Sequence, residues 1–110
     1  MFSSITLVRS YACRKWKPDW PHGFRRAEFE KMVKLLEEKW GDFEDFLALR
    51  APSVAKDRTE VDFHNRLFMQ SGSPSTALKI TRLNYELDIR QILPSVQAPA
   101  LVLHSRGDRV

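Results

Sequence analysis

Two short apolar runs stand near opposite ends of the chain, Ile-Thr-Leu-Val at positions 5–8 and Ala-Leu-Val-Leu at positions 100–103. Compact aliphatic runs of this length are how strands buried in parallel sheets read. No third run of the kind lies between them. Two strands alone make at best a marginal sheet in water. The runs must therefore pair with each other or join a larger sheet whose other strands this sequence does not contain. Parallel pairing also needs a long crossover, and everything between the runs is available for it.

That intervening sequence reads as a loop followed by helices. The loop, residues 10–24, has two prolines and a glycine among aromatics, so regular structure breaks there. Residues 26–41 follow with Phe29, Met32, Val33, Leu36 and Trp40 on one helical face. Glu30 and Lys34 are spaced to pair on its surface, and Gly41 is a suitable stop. Residues 42–52 give a shorter helix ending at Pro52. Residues 56–72 give a third, with Asp57 and Glu60 as a capping box and Gly72 at its close. Residues 73–89 give a fourth, with Ser73 as cap, Pro74 in the first turn, and Ala77, Ile80, Leu83 and Leu87 along one face. A short helical turn over 88–94 ends at Pro94, and Pro99 sets an extended lead into the second apolar run.

The chain has 110 residues, 43% hydrophobic and 29% charged, which is globular composition for about one small domain. The formal charge is +4. The excess is local, since Arg9, Arg14, Lys15, Lys17, Arg25 and Arg26 face only Asp19 across that span. A solvated basic loop is the expected reading, with no nucleic-acid partner. Cys13 is the only cysteine, so no internal disulfide is available; a free structural thiol is expected there. The first 18 residues carry no acid, as in mitochondrial transit peptides, but Ile5–Val8 reads better as a strand. No run is long enough for a transmembrane helix, and the expected location is cytoplasmic. His22, His64 and His104 lack metal-ligand spacing with each other or with Cys13. His64, beside Val61 and Phe68, reads as a partly packed polar residue and His22 as a loop residue. There is no glycine-rich phosphate loop. No metal and no cofactor are therefore expected.

Asp108 is the residue with chemistry to explain. It follows the second apolar run by a short turn, and functional groups of open α/β sheets gather at the carboxyl ends of parallel strands. A carboxylate there can orient a histidine and stabilise its imidazolium. Ordinary Gly-Asp turn chemistry is the plain alternative. Arg106-Gly107-Asp108 also spells the adhesion tripeptide, which no secretion signal supports.

The two ends of the chain bear a family resemblance. Asp88, Ile89, Arg90, Ile92, Leu93 and Pro94 match D-[VI]-R-x-[VI]-L-P, and Pro99, Leu101, Val102, Leu103, His104, Gly107, Asp108 and Val110 match P-x-L-V-L-H-x-x-G-D-x-V. These segments resemble the α/β-hydrolase superfamily, in particular the hydrolase-like modules joined to adenylate or guanylate cyclases. The opening "ITLVRSYACRKWKPDWPHG" is similar to the strand and loop that lead into the helical cap of that family. The resemblance is strongest over residues 82–110 and loose over 24–80.

The resemblance implies an α/β fold: a fragment of an α/β-hydrolase in which two parallel sheet strands flank a mostly helical cap. Residues 1–11 would be a sheet strand, 12–95 the cap, and 96–110 the next strand with the acid turn. It implies that Asp108 is the acid of a Ser-His-Asp triad, that His104 is not the catalytic histidine, and that Trp16, Trp20, Phe24 and Trp40 are substrate-pocket candidates. Core packing between the cap helices is the alternative for these aromatics. The substrate would be a small-molecule ester or acyl compound of the larger protein. The serine normally sits in a G-x-S-x-G elbow, which this chain lacks, as it lacks the downstream histidine. Triad members act as a unit, so the chain by itself is expected to be inactive as a serine hydrolase, a piece of a longer enzyme with open strand edges that favour self-association. The alternative is a non-catalytic helical interaction or regulatory module attached to a nucleotide cyclase.

Overall fold

In the computed structural model, residues 3–107 are described. β1 (Ile5–Val8) and β2 (Ala100–Leu103) pair in parallel, with Ile5 opposite Ala100 and Val8 opposite Leu103. The ladder runs one step further at each end: Ile5 N–H donates to Pro99 O and Arg9 N–H to Leu103 O, both at 2.9 Å. The two apolar runs thus find each other across the whole helical region. Arg9 then takes a φ of 49°. Few non-glycine residues adopt that left-handed region, and it turns the chain sharply off the strand.

α1 (Arg26–Glu38) buries Phe29, Met32, Val33 and Leu36, the face its spacing predicts. The Glu28 carboxylate reaches back to accept the Arg25 N–H at 2.9 Å, which satisfies one of the donors a helix start leaves open. Gly41, at φ 99°, makes the left-handed turn out of the region. α2 (Glu44–Arg50) and a 3₁₀ turn at Val54–Lys56 follow. α3 (Arg58–Ser71) begins at Asp57, whose Oδ1 accepts the Thr59 N–H at 2.9 Å and the Glu60 N–H at 3.4 Å. α4 (Pro74–Glu86) begins at Ser73, whose Oγ accepts the Thr76 N–H at 3.3 Å. A 3₁₀ turn at Leu93–Ser95 leads into β2.

The core lies in the helical layer. Phe29, Met32, Val33 and Tyr85 are buried together, with Phe24, Phe46 and Leu78 against them. The Phe29 and Tyr85 rings stack in parallel, 3.8 Å between centroids. That pair decides how α4 faces and corrects the reading of its apolar stripe. Tyr85 points inward, whereas Ile80, Leu83 and Leu87 are 52%, 67% and 51% exposed. A large ring with a partner for its hydroxyl buries more surface than one aliphatic chain, so the helix rotates to seat it. The expected Glu30–Lys34 pair is also replaced: Glu30 pairs with Arg82 on α4 at 3.3 Å, and Lys34 with Glu38 at 3.7 Å. The sheet is far less covered. Ile5 and Leu7 are half-buried, while Val8, Leu101, Val102 and Leu103 are exposed.

Candidate functional site

β1 leads at its carboxyl end into one loop, residues 10–25, which folds back on itself by backbone pairing. Phe24 N–H donates to Arg14 O at 2.7 Å, and Trp16 N–H to Phe24 O at 2.9 Å. A tight turn over Pro18-Asp19 is closed by reciprocal bonds between Lys17 and Trp20, at 3.1 and 2.8 Å. Gly23 makes the pairing sterically feasible, because a Cβ at that position would lie only 2.4 Å from the carbonyl carbon of Lys15. Trp20 is fixed by its indole N–H, which donates to Cys13 O at 3.0 Å. Cys13 itself is buried and free.

The Asp-Ile-Arg segment after α4 clamps this loop. Ile89 N–H donates to Ala12 O at 2.9 Å, and Cys13 and Asp88 form an antiparallel bridge. Around that backbone contact lies a four-residue charge network. Arg90 grips Asp88 with both edges of its fork, Nε to Oδ1 at 2.9 Å and Nη2 to Oδ2 at 2.8 Å. Lys17 Nζ donates to Asp88 Oδ2 at 2.5 Å, and Arg90 Nη1 reaches Asp19 at 3.1 Å. The hydrogen bonds from Arg90, and next that from Lys17, hold the Asp88 carboxyl well below the usual carboxylate range. The same bonds raise Lys17 and Arg90. One step away Lys15 pairs with Glu86 at 3.0 Å. The basic loop is therefore not simply solvated, because Lys15 and Lys17 are matched with acids at the end of α4 and just beyond it.

The clamp leaves a cavity of about 240 Å³ within the loop, walled by Tyr11, Trp20, His22 and Phe24 and carrying Ser10 and Arg14. A second, more apolar groove of about 270 Å³ lies between the helices, against Leu36, Trp40, Phe43, Phe46, Phe68 and Ile80. The four aromatic pocket candidates are thus split. Trp20 and Phe24 wall the loop cavity, and Trp40 lines the interhelical groove, edge-on to Phe43. Trp16 carries the Arg25 guanidinium over its ring at 4.5 Å and lines neither cavity. His64 is half-buried; its Nδ1 lies 2.8 Å from Glu60 O, with the Phe68 ring beside it. His22 lies on the loop with its ring against Trp20. Asp108 lies outside the described residues; Gly107, just before it, makes a left-handed turn at φ 78°. Among the described residues no three His, Cys, Asp or Glu side chains come together to hold a metal ion, and no helix is long and apolar enough to cross a membrane. Sequence reasoning passed over Tyr11 and Arg14 as site residues and gave Asp88, Arg90 and Lys17 no structural role. The available signal was the acid-free stretch up to Asp19 set against the Asp-Ile-Arg triplet.

Comparison with solved structures finds the same arrangement elsewhere. A hydrolase from Oleispira antarctica (olei00960) superposes with a TM-score of 0.73 at 22% sequence identity, over 97% of this chain. The chain spans 39% of that hydrolase's length. The fold class is therefore α/β, two parallel sheet strands flanking a mostly helical part, and it corresponds to a portion of a hydrolase fold. No family model matches the sequence, and no curated protein matches it.

Proposed function

We propose that this chain forms the cap-bearing part of an α/β-hydrolase that cleaves an ester or related acyl bond. Residues 1–11 supply one sheet strand, 12–95 the cap, and 96–110 the next strand with its acid turn. The observation that carries the reading is the parallel β1–β2 pair bracketing the helices, with the Gly107 turn at the carboxyl end of β2 immediately before Asp108. In the complete enzyme Asp108 accepts a hydrogen bond from an imidazole N–H and fixes its tautomer. The imidazole takes the proton of a serine hydroxyl as its oxygen adds to the acyl carbonyl, then returns that proton to the leaving group. Neither serine nor histidine of that set is in this sequence, so the chain alone should turn over a short-chain nitrophenyl ester no faster than buffer does.

The test is the coding sequence on either side. An in-frame G-x-S-x-G ahead of residue 1 and a histidine beyond residue 110 support the reading, and Asp108→Asn in that longer protein should then lower kcat by roughly 10⁴-fold. Flanks carrying neither feature, or turnover by the chain alone that Asp108→Asn abolishes, would overturn it. The exposed stripe of Ile80, Leu83 and Leu87 favours a second reading, in which the helical layer docks a partner as a non-catalytic module. The likeness of residues 88–94 to cyclase-joined modules supports a nucleotide cyclase domain as that partner. Retained ester hydrolysis by the longer protein after Leu83→Asp, with loss of any cyclase association, would separate the two roles.

A further inference from the structure

Among the described residues, the one buried side-chain polar atom without a hydrogen-bond partner is Nη2 of Arg14. Leaving a buried donor unmatched is costly, the more so on a charged group, and such an atom in a folded protein calls for an explanation, an absent ion or ligand included. Arg14 lines the loop cavity that follows the carboxyl end of β1, the side of the strands on which open α/β sheets bind their ligands. We propose that this cavity binds a small oxyanion-bearing molecule, a carboxylate on an apolar body, with the Arg14 guanidinium as the partner of the anion.

The geometry fits that role. Arg14 Cζ lies 4.6 Å from the Tyr11 ring centroid and 5.6 Å from that of Phe24. The two rings hold the guanidinium beside the cavity, and a guanidinium carries five donors in a planar fork that suits a planar oxyanion. The charge balance points the same way. No Asp or Glu lines the cavity. The nearby acids are already engaged, Glu86 by Lys15, Asp88 by Lys17 and Arg90, and Asp19 by Arg90. The walls are largely aromatic, and the hydrogen bond from Trp20 to Cys13 O holds that ring in place. At about 240 Å³ the space falls below that of sites for drug-sized molecules, which suits a ligand of one ring or a short chain. If the hydrolase reading holds, on which this last step rests, the preferred substrate is an ester or acyl compound that carries an acid group.

The test is binding, read by calorimetry on the 110-residue chain and by the fluorescence of Trp20 in a background carrying Trp16→Phe and Trp40→Phe. Phenylacetate is the ligand, phenylacetamide its neutral isostere and inorganic phosphate the anion without an apolar body. Phenylacetate should bind, and phenylacetamide should bind at least tenfold more weakly. Arg14→Met should weaken phenylacetate by roughly 10- to 150-fold, the value of a hydrogen bond to a charged group, and Arg14→Lys should fall between. Arg14→Met gives up the guanidinium contacts with the Tyr11 and Phe24 rings but keeps an apolar side chain against them, so it should melt within a few degrees of the unmodified chain. Phenylacetate should raise the melting temperature of the unmodified chain and not that of Arg14→Met. Equal binding of acid and amide, which needs no variant, or no binding at millimolar concentration, would overturn the proposal. Phosphate binding without phenylacetate binding would overturn the carboxylate and its apolar body. Because the readout is binding, a negative result leaves the triad reading untouched, since that reading is tested by turnover.

Discussion

Gly23→Ala offers a direct test of the paired loop, because its cost can be worked from distances. A Cβ on Gly23 would lie 2.4 Å from Lys15 C, 2.5 Å from Lys15 O and 2.6 Å from Trp16 N. All three are backbone atoms, so no side chain can swing aside. Ordinary contact begins near 3.4 Å, and the two segments must therefore separate by about 1 Å. The bonds Phe24 N–H to Arg14 O and Trp16 N–H to Phe24 O, now 2.7 and 2.9 Å, would stretch beyond hydrogen-bonding range. Two net backbone bonds contribute about 2 kcal/mol together. Replacing glycine also restricts the unfolded chain, a gain of about 0.4–1 kcal/mol. The loss outweighs the gain by roughly 1.3 kcal/mol, which is a fall in Tm of about 5 °C for a domain this size.

Gly72→Ala is the matched control. Its Cβ would meet nothing within 4 Å, and its backbone is extended at φ 164°. Only the unfolded-state term acts there, so Tm should rise by about 2–4 °C. Thermal unfolding by circular dichroism reads both variants, and hydrogen exchange at the Trp16 and Phe24 amides localises the first. If Gly23→Ala melts within about 2 °C of the unmodified chain, or shifts in the same direction as Gly72→Ala, the close backbone approach is wrong.

Asp88→Asn should lower Tm at pH 7. The Asp88 carboxyl is held low by Arg90 and Lys17, so its contribution is present above the unfolded carboxylate pKa of about 3.9 and fades as pH falls through the lower folded value. The gap between variant and unmodified chain should be constant from pH 8 to pH 5 and shrink below about pH 4. Tyr85→Phe keeps the stack on Phe29 but loses the O–H donated to Phe24 O at 3.3 Å, at a cost of about 0.5–1 kcal/mol by denaturant unfolding. Burial pushes the Tyr85 hydroxyl up, so the unmodified chain should lose stability as pH rises above about 10 and the variant should lose less. The exposed Leu101 and Val102 on a two-stranded sheet should drive concentration-dependent association in sedimentation velocity, and Val102→Lys should reduce it.

What could be read in the sequence was local. The buried face of α1 follows from one period, and Asp57 and Ser73 cap helices whose first turns lie within three residues of them. The two strands were legible as apolar runs, but whether they pair with each other or with strands elsewhere was left open, and the structure pairs them in parallel. The facing of α4 was not legible, because its apolar stripe and Tyr85 compete for one interface, and the winner is set by Phe29, 56 positions away in sequence (85 − 29). The charges were visible but their pairing was not: Lys17 meets Asp88 across a separation of 71 residues. The Asp-Ile-Arg triplet entered the reading only as a matched string.

Its physical role follows from the network. Ile89 ties its backbone to Ala12, and Asp88 and Arg90 bind Lys17 and Asp19, so the segment that leaves β1 and the segment that leaves α4 toward β2 are fastened to each other. The helical layer hangs from that clamp. Loosening the clamp with Asp88→Asn should weaken phenylacetate binding at Arg14, although Asp88 does not line the cavity. Binding to Asp88→Asn equal to that of the unmodified chain at pH 7 would show that the cavity holds its shape without the clamp.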